Sequence, residues 1–220
     1  MPARNEALAL PHVLGNIPSE IDQVLIIDNG STDGTARIAL EHGARVVSEP
    51  IAGYGRACLA GIKSLERHPP DIVAFADADG SDDLSRLRQL LTPVANEQAD
   101  FVLEKRVPSE PKALSIQQRL GNGFAVLLIR LLWGHCYGDL GPMRVITWSS
   151  LKKLKMRAPD YGWTVEMQIR ALKRGLQVIE YPIPYRQRVA GCSKVSRTIS
   201  GSTKAGLKIM SVIFRESLSA

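Results

Sequence analysis

The stretch "VLIIDNGSTDGTARIALEHG", residues 24–43, decides the fold class. Its apolar start, Val24 to Asp28, predicts a short buried strand. The segment "TDGTARIALEHG" that follows predicts a helix, which ends at Gly43 because glycine readily adopts the backbone that closes a helix. A strand that leads through a loop rich in Gly, Ser and Asp into a helix is typical of a βαβ unit.

The same alternation continues through the first two-thirds of the chain. It predicts strands for "ARVVSE", "DIVAFAD" and "DFVLEKR", and helices for "GYGRACLAGIKSLERH" and "DLSRLRQLLTPV". This pattern predicts an α/β fold with a mostly parallel sheet flanked by helices. Ligands bind outside the carboxyl ends of such strands, so we expect the loops after Asp28, Glu49 and Asp77 to form one polar pocket.

The remaining third is less regular. "SIQQRLGNGFAVLLIRLLWG" predicts a long helix interrupted near Gly121 to Gly123, and "GDLGPMRVIT" predicts a turn that leads into a strand. "YGWTVEMQIRALKRG" predicts a helix, "LQVIEYPI" a strand, and the tail from Lys194 onward another helix.

Charge is divided unevenly along the chain. Residues 1–143 hold 13 Lys and Arg against 18 Asp and Glu, whereas residues 144–220 hold 15 against 4, and the whole chain carries +6. The acidic part is suited to hold a cation, and the basic part is suited to face phosphates or an anionic membrane. Nucleic acid is the poorer partner, because no binding motif is present and only 5% of residues are aromatic.

Length and composition indicate one soluble globular domain of 220 residues, of which 45% are hydrophobic. Three cysteines, Cys58, Cys136 and Cys192, form no CxxC pair, so the sequence predicts neither a zinc site nor a disulfide framework. The start "MPARNEALAL" lacks the pattern of a secretory signal, and no apolar run reaches the ~20 residues of a bilayer span. We therefore expect a cytoplasmic location.

Four aspartates crowd the stretch "FADADGSDD", residues 75–83, directly after a predicted strand. Asp77 and Asp79 are two residues apart, so in an extended chain their carboxylates point the same way. Two hard oxygen ligands suit Mg²⁺ or Mn²⁺. Either ion usually keeps waters and substrate phosphates as its remaining ligands. Such an incomplete cage is useful where a diphosphate leaves, because the cation neutralises the charge that grows on it.

Other interpretations of these aspartates exist. An EF-hand loop is excluded, because the sixth and twelfth positions counted from Asp77 hold Asp82 and Arg88 instead of Gly and Glu. Asp82 or Asp83 is expected to cap the helix that follows, since carboxylates accept bonds from exposed helix N–H groups. A solvated turn is a further interpretation of Asp77 and Asp79.

Several motifs occur together in order. They are "ARNEA" near the start, "DNGSTDGTA", "DAD" at the acidic loop, and then "GDLGPMR", "YGWTVEMQIRA" and "YRQRVAGCSK". In this set the chain resembles the inverting GT-A glycosyltransferases of family 2, especially the soluble branch that is similar to dolichol-phosphate mannose synthase. The resemblance covers almost the whole chain. It implies one GT-A domain over residues 1–220, with a nucleotide-sugar half at 1–107 and an acceptor half at 108–220.

The resemblance also implies roles for individual residues of the first half. Four would line the base and ribose of a nucleotide sugar: Pro2, Ala3, Arg4 and Glu6. Asp28 would reach the base, and Gly30 would let the backbone approach it. Asp77 would contact the ribose or the metal, and Asp79 would be the main ligand of Mg²⁺ or Mn²⁺. Arg56 matches a nucleotide-contacting region, with a solvated position at the start of a helix as the alternative.

Three features depart from the family pattern. The family has an apolar strand before the motif that matches "PARNE", whereas this chain starts at Met1, so we expect the first strand of the sheet to be missing. Its absence would expose backbone and apolar surface of the neighbouring strands. Asn29 replaces the second Asp of the family's D-D-G-S, a change that keeps an acceptor. Glu104 stands where a small residue is common.

In the acceptor half, Asp139 and Glu166 are candidates for a catalytic base. A hydroxyl acceptor needs a carboxylate to take its proton, whereas a lipid phosphate is already ionised and needs none. The alternative for Asp139 is a turn residue that bonds its own backbone, and for Glu166 a carboxylate in the first turn of a helix.

Basic residues of the same half are suited to hold a pyrophosphate or a lipid phosphate, because guanidinium groups match phosphate oxygens. A solvated basic face is the alternative, and Arg144 and Lys194 are the first choices for a functional role. The set comprises Arg144, Arg186, Arg188, Lys194 and Arg197. The apolar stretch from Phe124 to Trp133, with the basic C-terminal helix, is suited to rest on an anionic membrane, and core packing explains that stretch equally well.

The expected function is metal-dependent, inverting transfer of a hexose from a nucleotide sugar of the UDP-glucose or GDP-mannose type. The acceptor would be a polyprenyl phosphate or a hydroxyl of a cell-envelope glycan, reached at the inner face of the plasma membrane. A nucleotidyltransferase is disfavoured, because no Gly-rich basic loop follows the first strand. A non-catalytic nucleotide-sugar-binding subunit is an alternative from another class. A Rossmann dehydrogenase is disfavoured because no GxGxxG follows a strand.

Overall fold

The computed structural model describes residues 1–110, 113–190 and 199–218, without the side chains of 199–204. The strands are β1 (Pro2–Ala3), β2 (Leu25–Asp28), β3 (Arg45–Ser48), β4 (Ile72–Phe75), β5 (Phe101–Pro108), β6 (Arg144–Thr147) and β7 (Val178–Tyr185). The helices are α1 (Leu10–Gly15), α2 (Thr35–Glu41), α3 (Tyr54–Leu65), α4 (Leu87–Ala95), α5 (Ile116–Trp133), α6 (Trp148–Leu154), α7 (Trp163–Lys173) and α8 (Ile199–Leu218). A 3₁₀ turn at Leu84–Arg86 precedes α4. The predicted α/β alternation is confirmed.

The strands form two sheets. β1, β2 and β3 pair in parallel, because α1 and α2 return the chain to the same end of the sheet. The other sheet has the order β4-β6-β5-β7, in which β5 and β7 are parallel and β6 is antiparallel to both of its neighbours. The predicted mostly parallel arrangement is confirmed, with β6 as the exception.

A cavity separates β2 from β4. The strand β1 has only two residues, and the Met1 amine donates a hydrogen bond to the Leu25 carbonyl at 2.8 Å. The cavity has a volume of about 600 Å³ and is lined by apolar side chains that include Leu25 and Ile27 of β2 and Ile72 and Ala74 of β4. The sequence suggested that the first strand is missing, whereas the structure has the two-residue strand β1 at this place, paired in parallel with β2.

Helix α5 is continuous, so the predicted interruption near Gly121 is wrong. Ser115 and Gln118 form a reciprocal capping box at its start, and Gly134 closes it in the left-handed conformation at φ 72°. Ala125 and Ile129 are fully buried against the core. Caps and packing of this kind offset the ~1 kcal/mol that each glycine costs inside a helix.

The largest core cluster lies between the β4–β6–β5 strands and the helices α5 to α8. Trp163 of α7 sits at its centre, with its ring 4.8 Å from that of Phe75. A second cluster lies under α4, and a third joins β1 and β2 to the first two helices. None of the helices in the described part of the chain combines the length and apolar character needed to cross a membrane.

Candidate active site

The loops that follow β1 and β2 are joined by hydrogen bonds. The Glu6 amide donates to Thr35 Oγ1 at 2.9 Å, across the gap between the two loops. Asp28 ends β2, and its Oδ1 accepts a bond from the Ser31 amide at 3.1 Å. Gly30 has φ +68°, and a Cβ there would lie 2.9 Å from a backbone oxygen of the next loop. Only glycine fits this close approach between two loops of the chain.

Asn29 holds the loop at residues 49–53. Its Nδ2 donates to the carbonyl of Glu49 at 2.9 Å and to that of Ile51 at 2.7 Å, and its Oδ1 accepts a bond from the Gly53 amide at 2.8 Å. An aspartate could not make the two donated bonds. Asn29 therefore serves as a donor as well as the acceptor that the sequence suggested.

The loop after β4 turns three carboxylates inward. Asp82 Oδ2 accepts a bond from the Asp77 amide at 2.8 Å, and Asp79 Oδ1 accepts one from the Ser81 amide at 2.9 Å. Burial, assisted by the charge of Asp79, raises the pKa of Asp77 to about 7. Burial also raises the pKa of Asp82 well above its usual range. The loop thus concentrates acidic groups where ionisation is costly unless a cation is near.

Neither Asp82 nor Asp83 caps the following helix, so that prediction is wrong. Asp83 stands directly before the 3₁₀ turn, but its carboxylate accepts the Ser85 hydroxyl at 2.6 Å and a bond from Arg186 at 3.1 Å. One oxygen of Asp82 serves the amide of Asp77, and the other finds no partner among the described residues. The loop's own bonds compete successfully with the helix amides for these carboxylates.

Arg188 lies between two of the predicted site residues. Its NH2 donates to Glu6 Oε1 at 2.6 Å, and its NH1 lies 3.1 Å from Asp79 Oδ2. The side chains of Glu6 and Asp79 are 8% and 10% exposed, so both carboxylates are desolvated. Residues 182 positions apart in the sequence thereby meet at the carboxyl ends of β1 and β4.

Asp139, a predicted base, is held by Arg106 at the carboxyl end of β5. Arg106 Nε donates to Asp139 Oδ2 at 2.6 Å, and its NH2 donates to Oδ1 at 2.9 Å. Glu180 of β7 accepts the amides of Gly138 at 2.8 Å and Asp139 at 3.3 Å. Both oxygens of Asp139 therefore face a cation and not an acceptor hydroxyl. Arg106 was missed, although the rule that sites lie at strand ends, applied to "DFVLEKR", would have found it.

Glu104 is fully buried beneath the Asp139 turn. Its Oε1 accepts a bond from the Met143 amide at 2.9 Å, and its Oε2 finds no partner among the described residues. A Cβ on Gly141 would lie 2.6 Å from Glu104 Oε1, so only glycine can pass over this carboxylate. Burial raises the pKa of Glu104 to about 8.

Arg144 does not face a phosphate site, contrary to prediction. It is fully buried, and its guanidinium donates to the carbonyls of Thr164 at 3.1 Å and Pro142 at 3.2 Å. The rings of Phe101 and Trp163 lie 6.0 and 5.8 Å from the guanidinium carbon. Its position on β6 points it into the layer between the sheet and α7, where it ties loop carbonyls together.

Glu166 is likewise a structural residue and not a base. It is fully buried, and its Oε2 accepts the amides of Arg157 at 2.9 Å and Ala158 at 2.7 Å. Its Oε1 is bound by Arg215 of α8 at 2.7 Å and Arg170 at 3.1 Å. These contacts consume both oxygens and hold the C-terminal helix, which agrees with the alternative of a first-turn carboxylate.

The other predicted residues fall into three groups. Pro2 and Ala3 form β1, which pairs with β2. Arg4 and Arg56 are exposed, Arg56 in the first turn of α3, as expected for a solvated helix start. Lys194 lies outside the described residues, as does Arg197.

Asp77 and Asp79, the predicted metal ligands, both lie in the loop after β4. Among the described residues, no group of three or more His, Cys, Asp and Glu side chains could hold a metal ion by itself. An all-oxygen pair suits Mg²⁺ or Mn²⁺ when substrate phosphates complete the coordination. In this structure the partner of Asp79 Oδ2 is the guanidinium of Arg188.

Known proteins resemble the chain in sequence. The family model described as "Glycosyl transferase family 2" matches residues 1–155. An uncharacterized glycosyltransferase of Mycobacterium tuberculosis is 38% identical over 215 residues, 97% of this chain and 95% of that protein. A dolichyl-phosphate hexose transferase of Haloferax volcanii is 30% identical, over 97% of this chain and 92% of its own. An undecaprenyl-phosphate mannosyltransferase of Micrococcus luteus is 29% identical, over 91% and 88%.

Solved structures share the fold. Glucosyl-3-phosphoglycerate synthase from Mycobacterium tuberculosis, crystallised with Mn²⁺, UDP and glucosyl-3-phosphoglycerate, superposes with a TM-score of 0.77 at 22% identity. The match covers 98% of this chain and 77% of that one. The predicted GT-A fold and glycosyltransferase class are therefore confirmed, and the chain belongs to glycosyl transferase family 2.

Proposed function

We propose that the chain is an inverting hexosyltransferase that takes its sugar from a nucleoside diphosphate of the UDP-glucose or GDP-mannose type. The acceptor is a polyprenyl phosphate, met at the cytoplasmic face of the membrane, and the reaction depends on Mg²⁺ or Mn²⁺. Two relatives are named for transfer to a dolichyl or undecaprenyl phosphate, and the crystallised synthase holds Mn²⁺ and UDP. These names support the proposal.

The observation that carries the lipid acceptor is an exposed apolar stripe on α5. Five large apolar side chains recur at helical spacing and therefore share one face. They are between 48% and 73% exposed: Ile116, Leu120, Phe124, Leu127 and Leu131. We call these five residues the α5 stripe. Helix α8 packs beside α5 and adds the exposed side chains of Leu207, Phe214 and Leu218.

The charge around the α5 stripe favours an anionic lipid surface over water or a neutral partner. Arg119 and Arg130 are exposed on α5, and residues 111–138 contain no Asp or Glu. On α8, Lys208 and Arg215 are 51% and 47% exposed, and they are paired with Asp160 and Glu166. A helix with an apolar face and basic flanks lies at a membrane interface and is drawn there by anionic headgroups.

The face of α5 opposite the stripe contacts the acceptor half of the site. Asn122 of α5 accepts a bond from the Leu140 amide at 3.0 Å, next to Asp139. The proposed acceptor is a polyprenyl phosphate. That phosphate arrives ionised, so an Asp139 already paired with Arg106 is compatible with the reaction.

The chain's own residues would act on donor and acceptor as follows. The loops after β1 and β2 hold the nucleotide, and Asp77 with Asp79 holds the cation. When bound, the cation neutralises charge on the departing diphosphate. The acceptor phosphate oxygen attacks the anomeric carbon from the opposite face, and the bond from that carbon to the diphosphate oxygen breaks. The product is an inverted hexosyl phospholipid and a nucleoside diphosphate.

Transfer is tested with radiolabelled UDP-glucose and GDP-mannose, Mn²⁺, and undecaprenyl phosphate in vesicles. We expect label in the lipid fraction, with the opposite anomeric configuration, and loss of that label in Asp79→Asn. Transfer only to a soluble hydroxyl acceptor would replace the proposal by glycan elongation. Nucleotide binding without turnover would replace it by a non-catalytic binding subunit.

Membrane contact is tested separately by co-sedimentation with vesicles of phosphatidylcholine, with or without phosphatidylglycerol. We expect binding to the anionic vesicles alone, and its loss in Leu120→Glu with Phe124→Glu. Leu40→Glu is the matched control, because Leu40 is 60% exposed on α2, away from the stripe. Equal binding by both variants would contradict the assigned face.

A further inference from the structure

Asp79 has one oxygen bound within its own loop and one bound by a distant arginine. Its Oδ1 accepts bonds from both the amide and the hydroxyl of Ser81. Its Oδ2 lies 3.1 Å from Arg188 NH1, and the same guanidinium reaches Glu6. An arginine side chain stays protonated in proteins, so Arg188 is a permanent cation. The Oδ2 atom of this predicted metal ligand is thus already paired with a cation.

Backbone bonds hold Arg188 in this position. The Val189 amide donates to the Asp79 carbonyl at 3.0 Å, and the Arg186 amide donates to the Ser81 carbonyl at 3.0 Å. Val189 packs so closely on Gly80 that a Cβ on this glycine would lie 2.5 Å from Val189 Cγ2. The segment around Arg188 is therefore fastened along the acidic loop and not merely near it.

We propose that Arg188 is a resident cation that substitutes for the metal at Asp79 until the donor binds. The inference rests on the proposed assignment of Asp79 as a metal ligand. A guanidinium and a divalent cation cannot both contact Asp79 Oδ2, because like charges at such distances repel by several kcal/mol in a partly desolvated site. Metal binding to the free chain must therefore break the Arg188–Asp79 pair.

This exchange makes metal and donor depend on each other. When the metal binds without the donor, the buried Arg188–Asp79 pair must first separate. This unfavourable free energy weakens the apparent affinity of the chain for the metal. A diphosphate offers the displaced guanidinium a new anionic partner, so donor and metal strengthen each other's binding. Arg188 thereby acts as a positioning residue that pairs with both carboxylates while no donor is bound.

The test is Mn²⁺ binding without nucleotide, measured by electron paramagnetic resonance on the full chain. Arg188→Gln removes the cation and keeps hydrogen-bonding capacity, and we expect its Kd for Mn²⁺ to fall about tenfold, equivalent to ~1.4 kcal/mol. Arg186→Gln is the matched control, because it removes a charge two residues away whose partner is Asp83 and not Asp79. We expect Arg186→Gln to change the Kd for Mn²⁺ less than about twofold, which is the size expected for the loss of a nearby charge that does not contact Asp79.

Asp79→Asn separates failure of this inference from failure of the proposed site. If Asp79→Asn binds Mn²⁺ as the wild type does, the metal assignment itself is wrong. If Asp79→Asn loses Mn²⁺ but Arg188→Gln does not bind it more tightly than Arg186→Gln, the assignment stands and the resident-cation role is overturned. The role is also overturned if neither the wild type nor Arg188→Gln binds Mn²⁺ without nucleotide.

A thermal melt first establishes that each variant is folded. If Arg188→Gln does not fold, Arg188→Lys takes its place, since lysine keeps the charge but cannot bridge both carboxylates with one planar group. We then expect a smaller decrease in the Kd for Mn²⁺ in Arg188→Lys. A Kd equal to or above that of the wild type would contradict the proposal.

Discussion

Arg106 donates hydrogen bonds to both carboxylate oxygens of Asp139, through its Nε at 2.6 Å and its NH2 at 2.9 Å. The side chains are 12% and 6% exposed, so the pair is shielded from water. The Arg106 amide also donates to Asp139 Oδ2 at 3.0 Å. The two residues therefore behave as one unit that fixes the turn of the acceptor half against β5.

Breaking this pair from either side should be costly. We expect Asp139→Asn and Arg106→Gln each to lower the free energy of unfolding by ~3–5 kcal/mol, because each leaves a desolvated charge unpaired. The double variant should lose less than the sum of the two, since it leaves no unpaired charge. Urea denaturation of the four proteins measures the difference.

The pair Arg37–Glu41 is the control for that double-mutant cycle. It also has a short contact, 2.6 Å, but its side chains are 69% and 52% exposed. Its coupling energy should stay below ~1 kcal/mol, as for other exposed ion pairs. Additive effects for Arg106 and Asp139 would show that their contact does not stabilise the turn.

Asn29→Asp should destabilise the chain by ~2–4 kcal/mol, because two carbonyls that now receive bonds would face a carboxylate. Asn5→Asp is the matched control, since Asn5 Oδ1 acts as an acceptor for the Thr32 amide and an aspartate keeps that role. Thermal melts of the two variants at equal protein concentration give the comparison. Equal losses of stability would mean that the donated bonds of Asn29 contribute little.

Glu104 should make stability fall as the pH rises. Burial raises its pKa from 4.5 to about 8, so the folded chain retains a proton that the unfolded chain has lost. The stabilisation is full below pH 4.5 and disappears as the pH passes about 8. Glu104→Gln cannot ionise, and its unfolding free energy should decline less between pH 6 and pH 9.

Urea denaturation across that pH range measures the decline for Glu104→Gln and for a control. Glu41→Gln alters an exposed carboxylate and should leave the wild-type decline unchanged. If Glu104→Gln declines as steeply as the wild type, the buried carboxyl is not the source of the pH dependence.

The cavity between β2 and β4 should accept an added strand. An extension of about five Val and Ile residues before Met1 would meet both strand edges and fill apolar space. Burial lowers the pKa of the Met1 amine to about 6. The extension would remove this amine from its buried position. We expect the extended chain to melt higher, by ~2–4 °C for each kcal/mol gained. A Gly-Ser extension of equal length should not, and equal melting points would contradict the prediction.

Local patterns in the sequence were enough for strands β2 to β7 and for most of the helices. Strand β2 and helix α2 follow from apolar runs and glycines within a few residues, and such signals depend only on neighbours along the chain. The ordered motifs identified the family because they combine several such loops. The helix α5 was misjudged at Gly121, since its continuity depends on caps and on buried contacts elsewhere.

The sequence by itself determined which charged residues the chain has and which strand ends carry them. Only the tertiary structure decided their partners. Arg144 is buried in the core, Asp139 pairs with Arg106, and Arg188 pairs with Glu6, which is 182 positions away in the sequence. The physical reason is that a desolvated charge must find an opposite charge or several polar groups nearby. Which group is nearby depends on how the sheets and helices pack, and no periodicity along the chain contains that information.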